Sequence, residues 1–202
     1  MTTKQPLAKS PSGFMGAIFG KIMEWANSES YRKAITALQP SSKECYLEIG
    51  FGTGLFAEMV LSNTPDIVIA GVDPTATMVE TAINRLSKHG FSKKIDLRIG
   101  TDENLNWNDH YFDAVIAIHS FQFWEKPEQT IQEISRILKP NGRIVIVFRN
   151  HSPNPPTWLP NPISRSGQEV EEAIKLLKEN EYVTTEYPSA GSSRIIRAVR
   201  KQ

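Results

Sequence analysis

The sequence predicts an α/β fold, with helices on both faces of a mostly parallel sheet, and three observations carry that expectation. Cys45-Tyr46-Leu47-Glu48-Ile49 is a short apolar run that passes into Gly50-Phe51-Gly52-Thr53-Gly54, after which Leu55, Phe56, Met59 and Val60 recur at helical spacing. That is the pattern of strand, glycine loop and helix. Ile67 to Val72 is an unbroken apolar run closed by Asp73, as suits a strand buried on both faces of a parallel sheet. Two further runs, Tyr111 to Ile118 and Arg143 to Phe148, are separated by an amphipathic stretch with Ile131, Ile134, Ile137 and Leu138 on one side.

Size and composition bound the rest. A chain of 202 residues favours one domain (1–202) and is long enough to bury a substantial core. With 40% hydrophobic and 22% charged residues it reads as a soluble globular protein. The net charge of +1 creates no field that would recruit nucleic acid or an acidic membrane. A single cysteine excludes an intramolecular disulfide and a cysteine-based metal cluster, and no metal is expected. Neither a secretory signal nor a run of membrane-spanning length is apparent, so a cytoplasmic protein without membrane insertion is expected, as monomer or homodimer.

Taken in order, residues 1–13 are rich in Lys, Ser, Thr, Pro and Gly, a composition that disfavours order. Residues 14–40 hold two helices. In the first, Phe14, Ile18, Ile22 and Trp25 share a face, while Gly13, Gly16 and Gly20 loosen the segment; it packs a stripe on the core, closes as a lid, or does both. The second starts at Ser28 or Ser30, turns Tyr31, Ile35 and Leu38 inward and stops before Pro40. The core spans residues 41–150. Its helix after the glycine loop runs to about Leu61; Pro74 opens the next, with Met78, Val79, Ala82 and Leu86 inward, up to His89-Gly90. Lys94 to Ile99 is the third strand, and Asp113 is a structural hydrogen-bonding residue at the start of the fourth. Pro127 opens a helix, and Lys139-Pro140-Asn141-Gly142 turns into the fifth strand. Residues 151–202 begin with a five-proline loop that regular structure cannot hold. Trp158 in it belongs either to a stiff connector or to a substrate-side wall. A helix from Gly167 to Asn180 and a hairpin of Tyr182–Tyr187 with Arg194–Val199 close the chain.

The glycine loop and Asp73 point to a nucleotide-like ligand. Glycines serve where the backbone takes positive φ or approaches a ligand closely, and a helix opening behind them presents free N–H groups. An acidic residue ending the second strand, about 20 residues on, is placed to read a ribose diol, since a carboxylate accepts two hydroxyl hydrogen bonds. Its alternative is a helix N-cap. The dinucleotide fingerprint requires a third glycine where Leu55 stands, which weakens a nicotinamide-dependent oxidoreductase reading.

Glu48-Ile49-Gly50-Phe51-Gly52-Thr53-Gly54 resembles the first motif of class I S-adenosylmethionine-dependent methyltransferases, in the small-molecule branch that includes quinone-type and lipid enzymes. Asp73-Pro74-Thr75-Ala76-Thr77-Met78 resembles the second motif. The run Glu133 to Gly142 (Glu-Ile-Ser-Arg-Ile-Leu-Lys-Pro-Asn-Gly) resembles the signature after strand four, with Asn141 in place of a usual glycine. The resemblance implies a three-layer sandwich on a seven-stranded, mostly parallel sheet with an antiparallel C-terminal hairpin strand. It implies S-adenosylmethionine as cofactor, S-adenosylhomocysteine as product, and cofactor contacts at Glu48, Gly50, Phe51, Gly52, Gly54, Asp73, Pro74 and His119. Gly100-Thr101-Asp102-Glu103 resembles the adenine-contacting loop, but Thr101 stands where the family has aspartate, so Asp102 or Thr101 takes that role beside Glu103.

Methyl transfer asks the protein for orientation and a dry pocket, and for a general base only when the acceptor carries a proton. His119, just past the fourth strand, is the one candidate base; the alternative is a packed, hydrogen-bonded ring beside Phe121, Phe123 and Trp124. Phe14, Trp25, Phe123, Trp124 and Trp158 are candidate acceptor-side residues. His119-Ser120-Phe121-Gln122 is not the motif of amino-methylating DNA enzymes, and Cys45 is misplaced for attack on a pyrimidine. A small-molecule acceptor is therefore expected. The rival reading is a scaffold that keeps the fold without catalysis.

Overall fold

The computed structural model describes residues 28–64, 66–149, 166–190 and 193–201. The expectations for Phe14, Trp25, the N-terminal lid and Trp158 lie outside these residues. Helix α1 covers 28–38. It is followed by β1 (Cys45–Ile49), α2 (Leu55–Asn63), β2 (Val68–Asp73), α3 (Ala76–Lys88), β3 (Ile95–Ile99), β4 (Phe112–Ile118), α4 (Pro127–Ile137), β5 (Leu138–Arg149), α5 (Gly167–Glu179), β6 (Tyr182–Ala190) and β7 (Ser193–Arg200). Single 3₁₀ turns precede β3 and follow β4.

The seven strands form one sheet in the order β3-β2-β1-β4-β5-β7-β6. The first five run parallel, and β7 is antiparallel to both β5 and β6. Strand side chains alternate between faces, and the core divides accordingly. Leu47, Ile49, Val115, Ala117, Ile144 and Ile146 meet α4 and α5 through Ile131, Ile134, Val170 and Leu177. Tyr46, Ile69, Ile116, Ile118, Val145 and Val147 meet α1, α2 and α3 through Ala34, Leu38, Phe56, Val60 and Leu86. This is the expected three-layer sandwich with its antiparallel C-terminal strand.

Two element boundaries differ from expectation. Pro74 lies ahead of α3 rather than in its first turn, because Thr75 occupies the cap position. Lys139 to Gly142 does not interrupt β5. Phe112 pairs with Leu138 and Ala114 already pairs with Arg143, so the extra residues shift the register within a continuous strand. Asn141 takes φ 62° there, a conformation its short polar side chain tolerates.

At the amino edge of the sheet a network of ion pairs and hydrogen bonds engages the polar groups around Arg143 and Asp113. Arg143 donates to the carbonyls of Leu38 (2.6 Å) and Gln39 (3.2 Å) and to both carboxylate oxygens of Glu44 (2.9 and 2.7 Å). Tyr46 donates a short hydrogen bond to the same carboxylate. Burial pushes the Glu44 carboxyl up, but Arg143 and Tyr46 outweigh it and hold it below its ordinary range. Asp113 accepts from the Cys45 amide (2.9 Å) and from Lys139 (2.8 Å), the structural role expected of it.

Candidate active site

The carboxyl edge is built around the loop after β1. The Gly50 amide donates to Val72 O (2.8 Å), carrying the ladder one step beyond the strand. Gly50 has φ 72°, and a Cβ there would fall 2.6 Å from Ser120 Cβ, so no other residue fits against the segment leaving β4. Gly52, at φ 55°, meets nothing within 4 Å on its Cβ side. The loop is thus held on one flank and open on the other. Phe51, expected among the cofactor contacts, turns its ring inward against Val79 and Ala82. Gly71 makes room, since a Cβ there would sit 2.5 Å from the Phe51 ring.

Asp73 ties three loops together. Its Oδ2 accepts from the Gly52 amide (3.0 Å), its Oδ1 from the Thr75 amide (2.9 Å), and its carbonyl from Gly100 (3.1 Å). A carboxylate has about four acceptor positions. Two backbone bonds therefore leave capacity for a diol, and the capping and ligand readings of this residue are compatible.

Glu48 is only 2% exposed, and its Oε2 has no hydrogen-bond partner among the described residues. Burial, and secondarily the charge of Asp73, pushes its carboxyl well above the ordinary range. Ser120 Oγ and both ring nitrogens of His119 are likewise buried without partners there. His119 holds φ 52°, which for a ring-bearing residue costs about 1–3 kcal/mol. Its amide donates to Val147 O (3.0 Å) and its carbonyl accepts from Gln122, so the strain is fixed from both sides. Burial, then the positive charge of Arg149, lowers the imidazole pKa to about 3. The ring stays neutral at physiological pH. A group this weakly basic gains little by taking a proton, which counts against a general base at this position.

The remaining expected residues are placed as follows. Thr101 is exposed, and Asp102 accepts from Thr130 Oγ1 of α4 (2.5 Å). Burial raises the Asp102 carboxyl pKa and the Thr130 bond opposes the rise. Glu103 pairs with Lys126 at 3.8 Å. Arg136 braces the same loop through the carbonyls of Leu105 and Trp107 and through Asp109. Pro74 is exposed at the loop rim. Trp124 is 1% exposed and packs on Phe121 at 4.9 Å, within the core, whereas Phe123 is 53% exposed beside the site. Sequence reasoning passed over Gly71, Ser120 and Arg149. A glycine inside an apolar strand signals close approach, and a charged residue closing β5 matches the carboxylates that close β1 and β2.

The orphaned Glu48 oxygen, the open flank at Gly52 and the spare Asp73 acceptors fit a ligand carrying a cation and a diol. A family described as "Methyltransferase domain" matches residues 47–146, about half of the chain, from within β1 to within β5. The chain belongs to the class I S-adenosylmethionine-dependent methyltransferases. This methyltransferase is 27% identical over 132 residues to the uncharacterized methyltransferase YdaC of Bacillus subtilis, covering 65% of the chain and 71% of YdaC. It is 28% identical over 131 residues to a demethylmenaquinone methyltransferase of Thermotoga maritima, covering 64% of the chain and 55% of that enzyme. The match thus spans about half the length of that quinone enzyme. A crystal structure of a SAM-dependent methyltransferase from Aquifex aeolicus superposes with TM-score 0.74 at 16% identity, covering 91% of the chain and 97% of that one. At that identity the likeness speaks to the fold of the methyltransferase. No helix among its described residues is long and apolar enough to cross a membrane.

Proposed function

We propose that the protein transfers the methyl group of S-adenosylmethionine to a small-molecule acceptor bound at the carboxyl edge of the sheet. The observation that carries the proposal is the set of buried polar atoms at Glu48, His119 and Ser120 that meet no partner among the described residues, beside the open flank of the glycine loop. A buried polar atom left unpaired costs about 1–3 kcal/mol, and a ligand that pairs it recovers that cost.

The cofactor, when bound, supplies a methyl group activated by its sulfonium. Glu48 would face its cationic amino-acid part and would ionise there. The spare acceptors of Asp73 would take the ribose hydroxyls, the open Gly52 flank would let the backbone approach, and the Thr101–Glu103 loop would cover the adenine. His119 and Phe123 lie where β4 ends, on the side from which the acceptor approaches. Similarity to a demethylmenaquinone methyltransferase supports a small acceptor. We place the protein in the cytoplasm, as monomer or homodimer and without a metal requirement.

Isothermal titration with S-adenosylmethionine, with NADH as control, tests the reading. Micromolar binding of S-adenosylmethionine alone is expected. Preference for NADH would return the protein to the oxidoreductases. Cofactor binding without methylation of any phenol, quinone, amine, thiol or carboxylate would favour a scaffold.

A further inference from the structure

We propose that the acceptor is an organic oxyanion, a carboxylate or an acidic phenol or enol bound in its ionised form, held by Arg149 and His119. This inference rests on the methyltransferase reading and names the substrate class of the same site. Its starting point is the position of Arg149, the last described residue of β5. Strands β4 and β5 are parallel neighbours with Ile118 opposite Val147, and the His119 amide continues the ladder to Val147 O at 3.0 Å. Arg149 therefore closes β5 one step past the place where His119 and Ser120 leave β4.

Three polar groups and one cation meet at this edge. Arg149 is in phase with Val145 and Val147, whose side chains face α1 and α2. Its half-buried guanidinium interacts electrostatically with Tyr31 of α1 and with the His119 ring. Ser120 is 7% exposed, with Oγ buried against no partner among the described residues, and Gly50 presses on its Cβ side. Glu48, near the end of β1 on the other side of β4, is a buried carboxyl that ionises only against a cation. The carboxyl edge thus has one end suited to the cationic part of the cofactor and a basic end that a cation would avoid.

Chemistry narrows the occupant of the basic end. A neutral imidazole that resists protonation is a poor acceptor for a proton leaving the substrate. An acceptor that has already given its proton to solvent needs no such base. In the transfer, an oxygen lone pair of the anion forms the new bond to the methyl carbon while the carbon–sulfur bond breaks, its electron pair passing to sulfur. Anion and sulfonium become a neutral ester or ether and a neutral thioether, and no proton moves. Charge is annihilated in the step, which a low-dielectric pocket favours. Arg149 is suited to bind the anion, since guanidinium pairs with carboxylates through two hydrogen bonds and stays charged when partly buried. His119 offers its ring N–H to the same oxygen group. Because the anionic charge fades toward the transition state, removing Arg149 acts chiefly on acceptor binding.

The test uses the full chain saturated with S-adenosylhomocysteine. Benzoate and 4-nitrophenolate are titrated calorimetrically beside their neutral counterparts, benzamide and 4-nitroanisole. The anions should bind about tenfold more tightly than the neutral partners, a difference of one decade in Kd. Arg149→Met should abolish that preference while leaving S-adenosylhomocysteine affinity within about twofold, and Arg149→Lys should retain part of it. Equal binding of charged and neutral probes by the wild type overturns the proposal, whatever the variants do. A preference that survives in Arg149→Met overturns it as well. Loss of S-adenosylhomocysteine binding in Arg149→Met would assign the guanidinium to the cofactor's carboxylate instead. Absence of S-adenosylmethionine binding to the wild type would sink the methyltransferase reading itself; intact cofactor binding without anion preference sinks only the assignment of the acceptor.

Discussion

The two edges of the sheet treat buried polar groups in opposite ways. At the amino edge, Arg143 serves two carbonyls and a carboxylate, Tyr46 serves the same carboxylate, and Lys139 serves Asp113. At the carboxyl edge, at the other end of the same strands, Glu48 Oε2, Ser120 Oγ and the His119 nitrogens have no partner among the described residues. The strands are equally apolar between these ends, so composition does not explain the contrast. A stable protein pairs its buried polar atoms, so the unpaired ones at the carboxyl edge support the ligand site proposed there. On that proposal, stability is concentrated at one end of the sheet and recognition at the other.

The comparison can be broken most forcefully at Arg143. Arg143→Ala strips the Glu44 carboxylate of its cation and two carbonyls of their donor, and breaking such a buried pair costs about 3–5 kcal/mol. The urea midpoint should fall accordingly, while the folded fraction binds S-adenosylmethionine as before. A large loss of cofactor affinity without loss of stability would blur the division between edges. Glu48→Gln should do the reverse, weakening S-adenosylmethionine by about 1.5–3 kcal/mol through loss of a charged hydrogen bond.

The same residue predicts a pH dependence. The Glu48 carboxyl is raised in the folded, unbound protein, so the folded state holds its proton longer than the unfolded one. Its contribution to stability is intact below the unfolded carboxylate pKa of about 4.3 and is lost as pH rises from there toward the raised folded value. Unfolding of the unbound protein from pH 4 to 8 should show this decline, and Glu48→Gln should remove it. A steeper decline in the variant would contradict the assignment.

Smaller effects sharpen the picture. Asp73→Ala removes two loop anchors and the diol acceptor, so cofactor affinity should drop by about 1–3 kcal/mol; unchanged affinity by calorimetry would take Asp73 out of the ribose site. His119→Asn suits the left-handed backbone better and should raise the melting temperature slightly, by up to about 1 kcal/mol of stability. If melting instead fell by several degrees, the ring would be a packing element.

What was legible in the sequence was what adjacent residues determine. The glycine loop, the carboxylates ending β1 and β2, and the apolar strands all declare themselves within ten residues. The continuation of β5 through Lys139 to Gly142 did not, because Pro140 and Gly142 carry a turn signal and only pairing with β4 reveals a register shift. Ser120, just past β4, and Arg149, closing β5, become neighbours only through sheet order. Trp124 and Phe123 are adjacent in sequence, yet the 3₁₀ turn after β4 sends one into the core and leaves the other half exposed. No periodicity distinguishes them.

The most direct test is a calorimetric titration of S-adenosylmethionine into the wild-type protein and Glu48→Gln, with the unfolding midpoint of each measured alongside. A ligand site at the carboxyl edge predicts micromolar binding to the wild type, and binding about tenfold or more weaker to a variant no less stable at pH 7. Equal affinity in the two proteins, or a variant that loses stability as Arg143→Ala should, would place Glu48 among the structural groups and contradict the division of the sheet into a stabilising edge and a binding edge.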